Sequence, residues 1–121
     1  MLPKIFYVNW FRRGDRGEFL WPGFGENTRV LKWALQRIDG SAGVVRTPIG
    51  DVPNLGDLDL DGLDTLQYDY PKIAAALKVD ATEWVAEIES IDQWYATIGG
   101  NRLPGPLRQE LADLKLRISA G

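Results

Sequence analysis

Residues 10–29, with the sequence WFRRGDRGEFLWPGFGENTR, contain the side chains of this chain that could bind a flat ligand. Aromatic rings separated by turns can approach one another from different backbone directions and form a slot. Stacking in such a slot contributes on the order of 1–3 kcal/mol per base without distinguishing one base from another. An asparagine amide, and peptide groups beside glycine, offer the polar groups that could distinguish them. The candidate binding residues are Phe11, Phe19, Phe24, Asn27, Gly23 and Gly25.

The residues alone leave two interpretations of this stretch open. One is a site for a heteroaromatic ligand, because glycine-rich loops that carry large rings often bind something flat. The other is a packed aromatic mini-core with no ligand. Pattern and spacing do not decide between them.

The composition excludes several classes of function. The chain has no Cys and no His, so it can form no disulfide, no zinc-finger site and no Ser-His-Asp or Cys-His catalytic group. Residues 1–29 carry five basic and three acidic residues, whereas residues 30–121 carry nine and fourteen. The acidic body argues against nucleic-acid binding, and the mildly basic aromatic end suits a small anion. With 121 residues, no signal-peptide pattern and no apolar run of about eighteen residues, we expect a cytoplasmic protein that does not enter a membrane.

Two motif-like segments match known sites only in part. GFGENT at 23–28 lacks the third glycine of the dinucleotide-binding fingerprint, and the phosphate-binding pattern GxxxxGK[ST] does not occur. DLDLDG at 57–62 matches the first half of a calcium loop, but Tyr68 occupies the position that needs a bidentate Glu. We therefore expect a solvated acidic loop there, anchored by its leucines.

The N-terminal half predicts a strand, a hairpin and a helix. KIFYVNWF at 4–11 is rich in β-branched and aromatic residues, and its unbroken apolar run predicts a strand covered on both faces. A turn with three arginines, expected to be solvated, and a short extended segment follow. A helix is expected from a cap at Asn27 or Thr28 as far as Gly40. Its predicted apolar stripe is Val30, Leu31, Ala34, Leu35 and Ile38.

The C-terminal half predicts mainly helix. Residues 40–64 are expected to be irregular, and Pro71 to lie at the start of a short helix. Asp80 and Glu83 resemble a capping box that begins a long helix, and a last helix begins at Pro106. Apolar spacings of three and four predict that these two helices form an antiparallel hairpin. The residues expected in its core are Trp84, Ile88, Ile91, Trp94, Tyr95, Ile98, Leu107, Leu111, Leu114 and Ile118.

The run KIFYVNWFRRGDRGEFLWPGFGENTRVLKWALQRIDG closely resembles the C-terminal part of GTP-dependent phosphoenolpyruvate carboxykinases. Its WPGFGEN core is distinctive for that family, and the ATP-dependent carboxykinases lack it. The resemblance continues through TPIG at 47–50, the LDLDGLD segment and the terminal LADLKLRIS, so it covers essentially the whole chain. The acidic segment resembles the actinobacterial branch of the family.

The resemblance implies a role in the gluconeogenic conversion of oxaloacetate and GTP into phosphoenolpyruvate, GDP and CO₂, a decarboxylating lyase reaction that uses Mn²⁺ or Mg²⁺. In the family, phenylalanines that match Phe11 and Phe24 sandwich the guanine, and one that matches Phe19 lines the slot. An asparagine that matches Asn27 contacts the edge of the base, and neighbouring backbone groups complete its recognition. The family's phosphate loop, metal ligands and oxaloacetate-binding arginines have no match here. The resemblance therefore implies no catalytic or metal-binding residue in this chain, and no activity in isolation.

The expected fold is α+β and helix-dominated, as part of the larger carboxykinase nucleotide-binding domain. Residues 1–48 would hold a strand, the guanine-binding loop and a helix, and residues 49–121 an acidic segment and a helical tail, together in one compact unit. The expected partners are a guanine nucleotide and the remainder of the parent enzyme. A second copy could also pair with the exposed edge of the first strand. The rival interpretation is a non-enzymatic helical interaction module whose aromatic residues form its core.

Overall fold

Helices dominate the secondary structure of residues 2–121, the part of the chain that the computed structural model describes. Together with one short two-stranded sheet they make an α+β fold, as predicted. The elements are α1 (Asn27–Asp39), β1 (Val45–Thr47), β2 (Gly50–Val52), α2 (Tyr70–Leu77), α3 (Ala81–Ile98) and α4 (Gly105–Ala120). The chain divides into two units. The first runs from the N-terminus to Val45 and includes Asp51–Lys78, and the second comprises Arg46–Gly50 and Val79–Gly121.

The core of the first unit is built around two tryptophans. Trp33 lies on α1, and its indole N–H donates to the carbonyl oxygen of Gly43 at 3.2 Å, so its polar atom is satisfied although the ring is buried. Trp21 lies in the loop that precedes the helix. The buried residues that pack together are Trp21, Trp33, Leu58, Leu63 and Ile73. Trp21 is therefore held in place by residues that lie far from it in the sequence.

The strand predicted over residues 4–11 is wrong, because no strand within residues 2–121 pairs with that segment. Ile5 and Tyr7 are more than nine-tenths exposed, and Phe6 and Val8 are each 39% exposed, so the run is covered on one side at most. Phe6 packs edge-on against Trp33 with ring centroids 6.0 Å apart, and Lys4 Nζ donates to the carbonyl oxygen of Arg37 at 2.6 Å. Side-chain contacts with α1, rather than a hydrogen-bonded ladder, hold the segment.

Helix α1 begins and ends where the sequence predicts, but its cap and its buried face differ. It ends at Gly40 in the left-handed conformation, with φ 85°. Neither Asn27 nor Thr28 caps it, since the cap position is Glu26, which makes no side-chain cap bond. The helix buries Trp33, with Val30 and Ala34 packed on the same core. The other members of the predicted stripe remain exposed: Leu31, Leu35 and Ile38.

The acidic segment after α1 is more regular than predicted. Residues 45–52 form the β1–β2 hairpin, and a 3-10 turn follows over Leu55–Asp57, capped reciprocally by Asn54 and Asp57. Leu58 and Leu63 are buried, which confirms that leucines anchor the loop. Arg29 Nη1 donates to the carbonyl oxygens of Asp59 and Asp61 at 2.7 and 2.8 Å. The acidic loop is therefore attached to α1 both by its buried leucines and by these hydrogen bonds from Arg29.

Helix α2 begins as predicted with proline in its first turn, and the Asp69 carboxylate accepts from the backbone N–H of Lys72 at 3.1 Å. Helix α3 is capped by Asp80, whose carboxylate accepts from the N–H groups of Thr82 and Glu83 at 2.9 and 3.4 Å. These caps supply partners for backbone donors that a helix leaves unsatisfied in its first turn.

Helices α3 and α4 pack together in the second unit and form the predicted hairpin. Ile88, Leu111 and Ile118 make its buried cluster, and the partly buried residues against them are Ile49, Trp84, Ile91, Tyr95 and Leu114. The spacing predicted this core well, with three exceptions. Trp94, Ile98 and Leu107 are exposed, because a two-helix hairpin covers only one narrow side of each helix. Within the described residues, no helix has the length and apolar character needed to cross a membrane.

Candidate functional site

The aromatic loop, defined here as residues 11–27, begins with a small hairpin that sets the positions of Phe11 and Phe19. The N–H of Leu20 donates to the carbonyl oxygen of Arg12 at 3.0 Å, and Arg13 and Phe19 form an isolated antiparallel bridge. This confirms the predicted hairpin in a reduced form. The rings of Phe11 and Phe19 lie edge to face, with centroids 6.3 Å apart and planes at 62°. Two of the three candidate phenylalanines are therefore in contact.

Arg13 covers one face of Phe19. Its guanidinium carbon lies 4.2 Å from the ring centroid, within the range of a cation–π contact, and Nη1 donates to the carbonyl oxygen of Gly17 at 2.7 Å. Arg13 remains exposed, as expected for a turn residue, but it also makes these two contacts, which the sequence did not predict. Because a guanidinium occupies one face of Phe19 and Phe11 lies against the ring as well, Phe19 is the least available of the three rings for stacking on a ligand.

Arg12 joins the aromatic loop to α2. Its Nη1 donates to the carbonyl oxygen of Ala76 at 3.1 Å and to that of Lys78, at the end of the helix where carbonyl groups lack intrahelical partners. Arg12 is partly buried and therefore belongs to the folded unit, which corrects the expectation of a solvated charge at this position. The hairpin of the aromatic loop is thereby attached to an element more than sixty residues further along the chain.

Phe24 projects from a tight turn. Gly23 has φ 107° and ψ −168°, a backbone conformation that is essentially restricted to glycine, and its carbonyl oxygen accepts from the N–H of Glu26 at 3.0 Å. The 3-10 turn Phe24–Glu26 then leads directly into α1. Phe24 is 92% exposed and Phe11 is 72% exposed, so both rings present open faces. A Cβ at Gly25 would meet nothing within 4 Å, so the backbone there is open to a ligand.

Asn27 lies one turn after Phe24, and its backbone N–H donates to the carbonyl oxygen of Phe24. Its side-chain Oδ1 accepts from the indole N–H of the buried Trp21 at 2.8 Å. The amide is therefore attached to the core on one side while the residue remains partly exposed on the other.

The structure thus places all six candidate residues in one loop and brings some of them into contact. Phe11 contacts Phe19, and Asn27 is bonded through its backbone to Phe24. Among residues 2–121, no ring contact joins Phe24 to the other two phenylalanines. Sequence reasoning missed Arg13 and Trp21. The signals available were the hairpin register, which places Arg13 opposite Phe19, and the indole of Trp21, whose N–H needs an acceptor when buried.

Metal-binding residues are not grouped in the described part of the chain. No cluster of three or more His, Cys, Asp or Glu that could hold an ion occurs in residues 2–121. The aromatic loop itself offers open ring faces and hydrogen-bonding groups.

Comparison with known proteins gives the class of protein to which this loop belongs. Residues 1–117 match the family described as the phosphoenolpyruvate carboxykinase C-terminal P-loop domain. The GTP-dependent phosphoenolpyruvate carboxykinase of Renibacterium salmoninarum is 57% identical over 117 residues, which are 97% of this chain and 19% of that protein. The corresponding enzyme of Paenarthrobacter aurescens is 50% identical over 117 residues, again 97% and 19%. That of Corynebacterium glutamicum is 47% identical over 119 residues, or 98% and 19%.

The chain belongs to the GTP-dependent phosphoenolpyruvate carboxykinase family, as its WPGFGEN segment predicts. The first of these relatives are actinobacterial proteins, which is also the branch that the acidic segment indicates. The chain spans about a fifth of the length of the curated relatives it matches, 19% in each of the three cases above.

Proposed function

We propose that this chain provides the guanine-recognition surface of a GTP-dependent phosphoenolpyruvate carboxykinase. The observation that carries the proposal is the combination of open aromatic faces at Phe11 and Phe24 with a tethered amide at Asn27, one turn further along the chain. The printed names of the relatives, which specify GTP, support the choice of base.

The three rings would have different roles. Phe11 and Phe24 have free faces and would stack on the base, whereas Phe19 is occupied by Arg13 and would line the slot from the side. Stacking gives affinity without selectivity, so selectivity must come from polar groups that meet the edge of the base. Asn27 and the backbone around Gly23 and Gly25 are the groups in position for this role. The exposure of Phe24 disfavours the rival interpretation in which these rings form a packed core.

The complete reaction would convert oxaloacetate and GTP into phosphoenolpyruvate, GDP and CO₂, with Mn²⁺ or Mg²⁺ bound elsewhere in a longer protein. In that setting the loop would orient the nucleotide so that its γ-phosphate reaches the reacting centre. We infer that these 121 residues alone turn over no oxaloacetate, since they contain no phosphate-binding GxxxxGK[ST] pattern. Binding of the base without phosphate contacts is expected to be weak, with a Kd around millimolar, or about −4 kcal/mol.

A titration of the 121-residue chain with GDP and ADP tests the proposal. Trp10 directly precedes the aromatic loop and Trp21 lies within it, with their ring centroids 6.2 Å apart, so their fluorescence should report binding. We expect GDP to quench this fluorescence at millimolar concentration and ADP to have little effect. Equal responses to the two nucleotides would contradict the assignment of guanine.

The variant Phe24→Ala provides the sharpest test of the stacking role. Loss of one ring face should weaken GDP binding by on the order of 1–3 kcal/mol, which would bring it beyond measurement in this chain. Tyr7→Ala is the matched control, since Tyr7 is an aromatic residue of the same unit that is 93% exposed and lies outside the aromatic loop. GDP binding that survives in Phe24→Ala as well as in Tyr7→Ala would refute the role of Phe24. Gel filtration of the wild-type chain measures its oligomeric state and so tests the separate expectation that a second copy pairs with the N-terminal segment.

A further inference from the structure

The hydrogen bond between Trp21 and Asn27 determines which way the Asn27 amide faces. The Trp21 indole is 6% exposed and lies in the core of the first unit, and its N–H lies 2.8 Å from Asn27 Oδ1. An indole nitrogen only donates, so the atom that it meets must be the carbonyl oxygen and not the NH₂ group of the amide. The chemistry of the partner therefore removes the usual ambiguity in the orientation of an asparagine side chain.

The NH₂ group of Asn27 is left for a ligand. Within residues 2–121, Asn27 Nδ2 donates to no protein group, and the residue is only partly buried. The backbone of Asn27 is fixed as well, because its N–H donates to the carbonyl oxygen of Phe24. Asn27 thus presents hydrogen-bond donors, from a fixed position beside an open aromatic ring.

We propose that Trp21 is a positioning residue for nucleotide selectivity: it holds the Asn27 amide with its NH₂ outward, so that the loop accepts 6-oxopurines and rejects 6-aminopurines. This inference rests on the proposed function. Guanine and hypoxanthine both carry an acceptor oxygen at position 6, which an N–H donor can meet. Adenine carries an NH₂ group there, and two donors would face each other.

Trp21 enforces this choice because a rotation of the Asn27 amide that exchanges its oxygen and its NH₂ group would be costly. A turned amide would present its oxygen to adenine but would direct its NH₂ at the indole N–H, which would leave a buried donor without an acceptor. Without the indole N–H, both orientations become available and the loop can adapt to either purine. Trp21 therefore acts through Asn27 and does not itself contact the base.

The test is a set of nucleotide titrations on the full 121-residue chain with GDP, IDP and ADP. The wild-type chain should bind GDP and IDP in preference to ADP. In Trp21→Phe, which keeps a ring in the core but lacks the N–H, the ratio of GDP to ADP affinity should fall about tenfold, mainly because ADP binds better, while IDP follows GDP. Asn27→Ala should lower the ratio by a similar factor. Trp21→Phe combined with Asn27→Ala should lower it no further, since both changes remove one interaction.

Trp10→Phe is the matched control. Trp10 packs against Trp21 and the same core but makes no hydrogen bond to Asn27, so the GDP to ADP ratio should keep its wild-type value. A general loosening of the core would change the ratio in this variant as well. An NMR spectrum of each variant, recorded before the titration, establishes that the variant is folded.

A measurement on the wild-type chain covers the case in which Trp21→Phe does not fold. In ¹⁵N spectra the side-chain NH₂ signals of Asn27 should shift on addition of GDP or IDP, while the Trp21 indole proton stays protected from exchange. An indole proton that exchanges as fast as an exposed one, or Asn27 NH₂ signals that GDP leaves in place, would overturn the inference.

The outcomes separate the two proposals. A wild-type chain that binds GDP and ADP equally overturns the guanine assignment, and the inference with it. A wild-type chain that prefers GDP, together with an unchanged ratio in Trp21→Phe, overturns the positioning role alone and leaves the guanine assignment in place.

Discussion

In the aromatic loop of the first unit, Phe11 and Phe24 are 72% and 92% exposed, whereas in the α3–α4 hairpin of the second unit Ile88, Leu111 and Ile118 are 3%, 8% and 5% exposed. The hairpin uses its apolar side chains to hold two helices together. The loop leaves the rings of Phe11 and Phe24 in solvent and is held instead by the buried Trp21 and by hydrogen bonds from Arg12. Large side chains that polar contacts hold in an exposed position are available to a ligand, and those in a helix interface are not.

This difference also separates what each region contributes to stability from what it contributes to binding. Truncation of a buried side chain removes packing and leaves a cavity, so it is costly for folding. Truncation of an exposed ring removes little from the folded state. Substitutions in the two regions should therefore affect different measurements, and the following experiments test that separation.

The largest expected effect is in the hairpin. Ile88→Ala should lower the free energy of unfolding by about 2–5 kcal/mol, because Ile88 is almost fully buried against Leu111 and Ile118. Urea denaturation followed by circular dichroism measures this change. Val85→Ala on the same helix is the control, since Val85 is exposed and its truncation should change stability by no more than about 0.5 kcal/mol. Equal effects at the two positions would remove the contrast between buried and exposed side chains.

A smaller effect is expected from the backbone of the aromatic loop. Gly23→Ala should lower the free energy of unfolding by on the order of 1–3 kcal/mol, because φ 107° with ψ −168° is essentially a glycine conformation. Gly25→Ala should fold normally, since its φ is not positive and a Cβ there meets open space. Thermal unfolding of both variants measures the difference. A Gly25→Ala chain that is stable but binds GDP more weakly would sharpen the comparison, by showing that a ligand approaches the backbone at that residue.

The smallest expected effect is a dependence of stability on acid. The hydrogen bond from Lys32, together with the backbone N–H of Asp61 and the nearby positive charges, lowers the pKa of Asp59 below its ordinary value of 3.8. Since the carboxylate form is the one favoured in the folded state, its contribution is fully present above the unfolded pKa and is lost as the pH falls through the lower folded pKa. In Asp59→Asn, the part of the acid dependence below about pH 4 that comes from this group should disappear. Urea denaturation at a series of pH values measures this dependence. If the free energy of unfolding falls with pH in the same way in the wild type and in Asp59→Asn, the Lys32 contact contributes nothing to folding.

The sequence predicted the regions that local rules govern. Local rules account for the end of α1 at Gly40, the cap of α3 at Asp80 and the proline in the first turn of α2. The repeat of three and four accounts for most of the core of the helical hairpin. The candidate binding residues came from the aromatic, glycine-rich pattern of residues 10–29, and the family resemblance then implied their roles toward guanine.

Other features depend on partners that local rules do not reveal. Residues 4–11 have the composition of a strand, but a strand forms only where another strand lies beside it. Leu31, Leu35 and Ile38 belong to the predicted apolar stripe of α1, yet they are exposed, because periodicity does not say which side of a helix another element covers. The acceptor of the Trp21 indole could not be inferred either, because it depends on how the loop returns to the start of α1.

The attachment of Arg12 to the end of α2 has a consequence for the rate at which a nucleotide would come and go. If the hairpin stays attached to these two carbonyl groups while a base binds, association should be limited by encounter and orientation, at about 10⁶–10⁷ M⁻¹s⁻¹. With a Kd around millimolar, dissociation would then take place about 10³–10⁴ times per second. A base would stay for a millisecond or less, and a longer stay on the loop would require contacts in addition to those with the base.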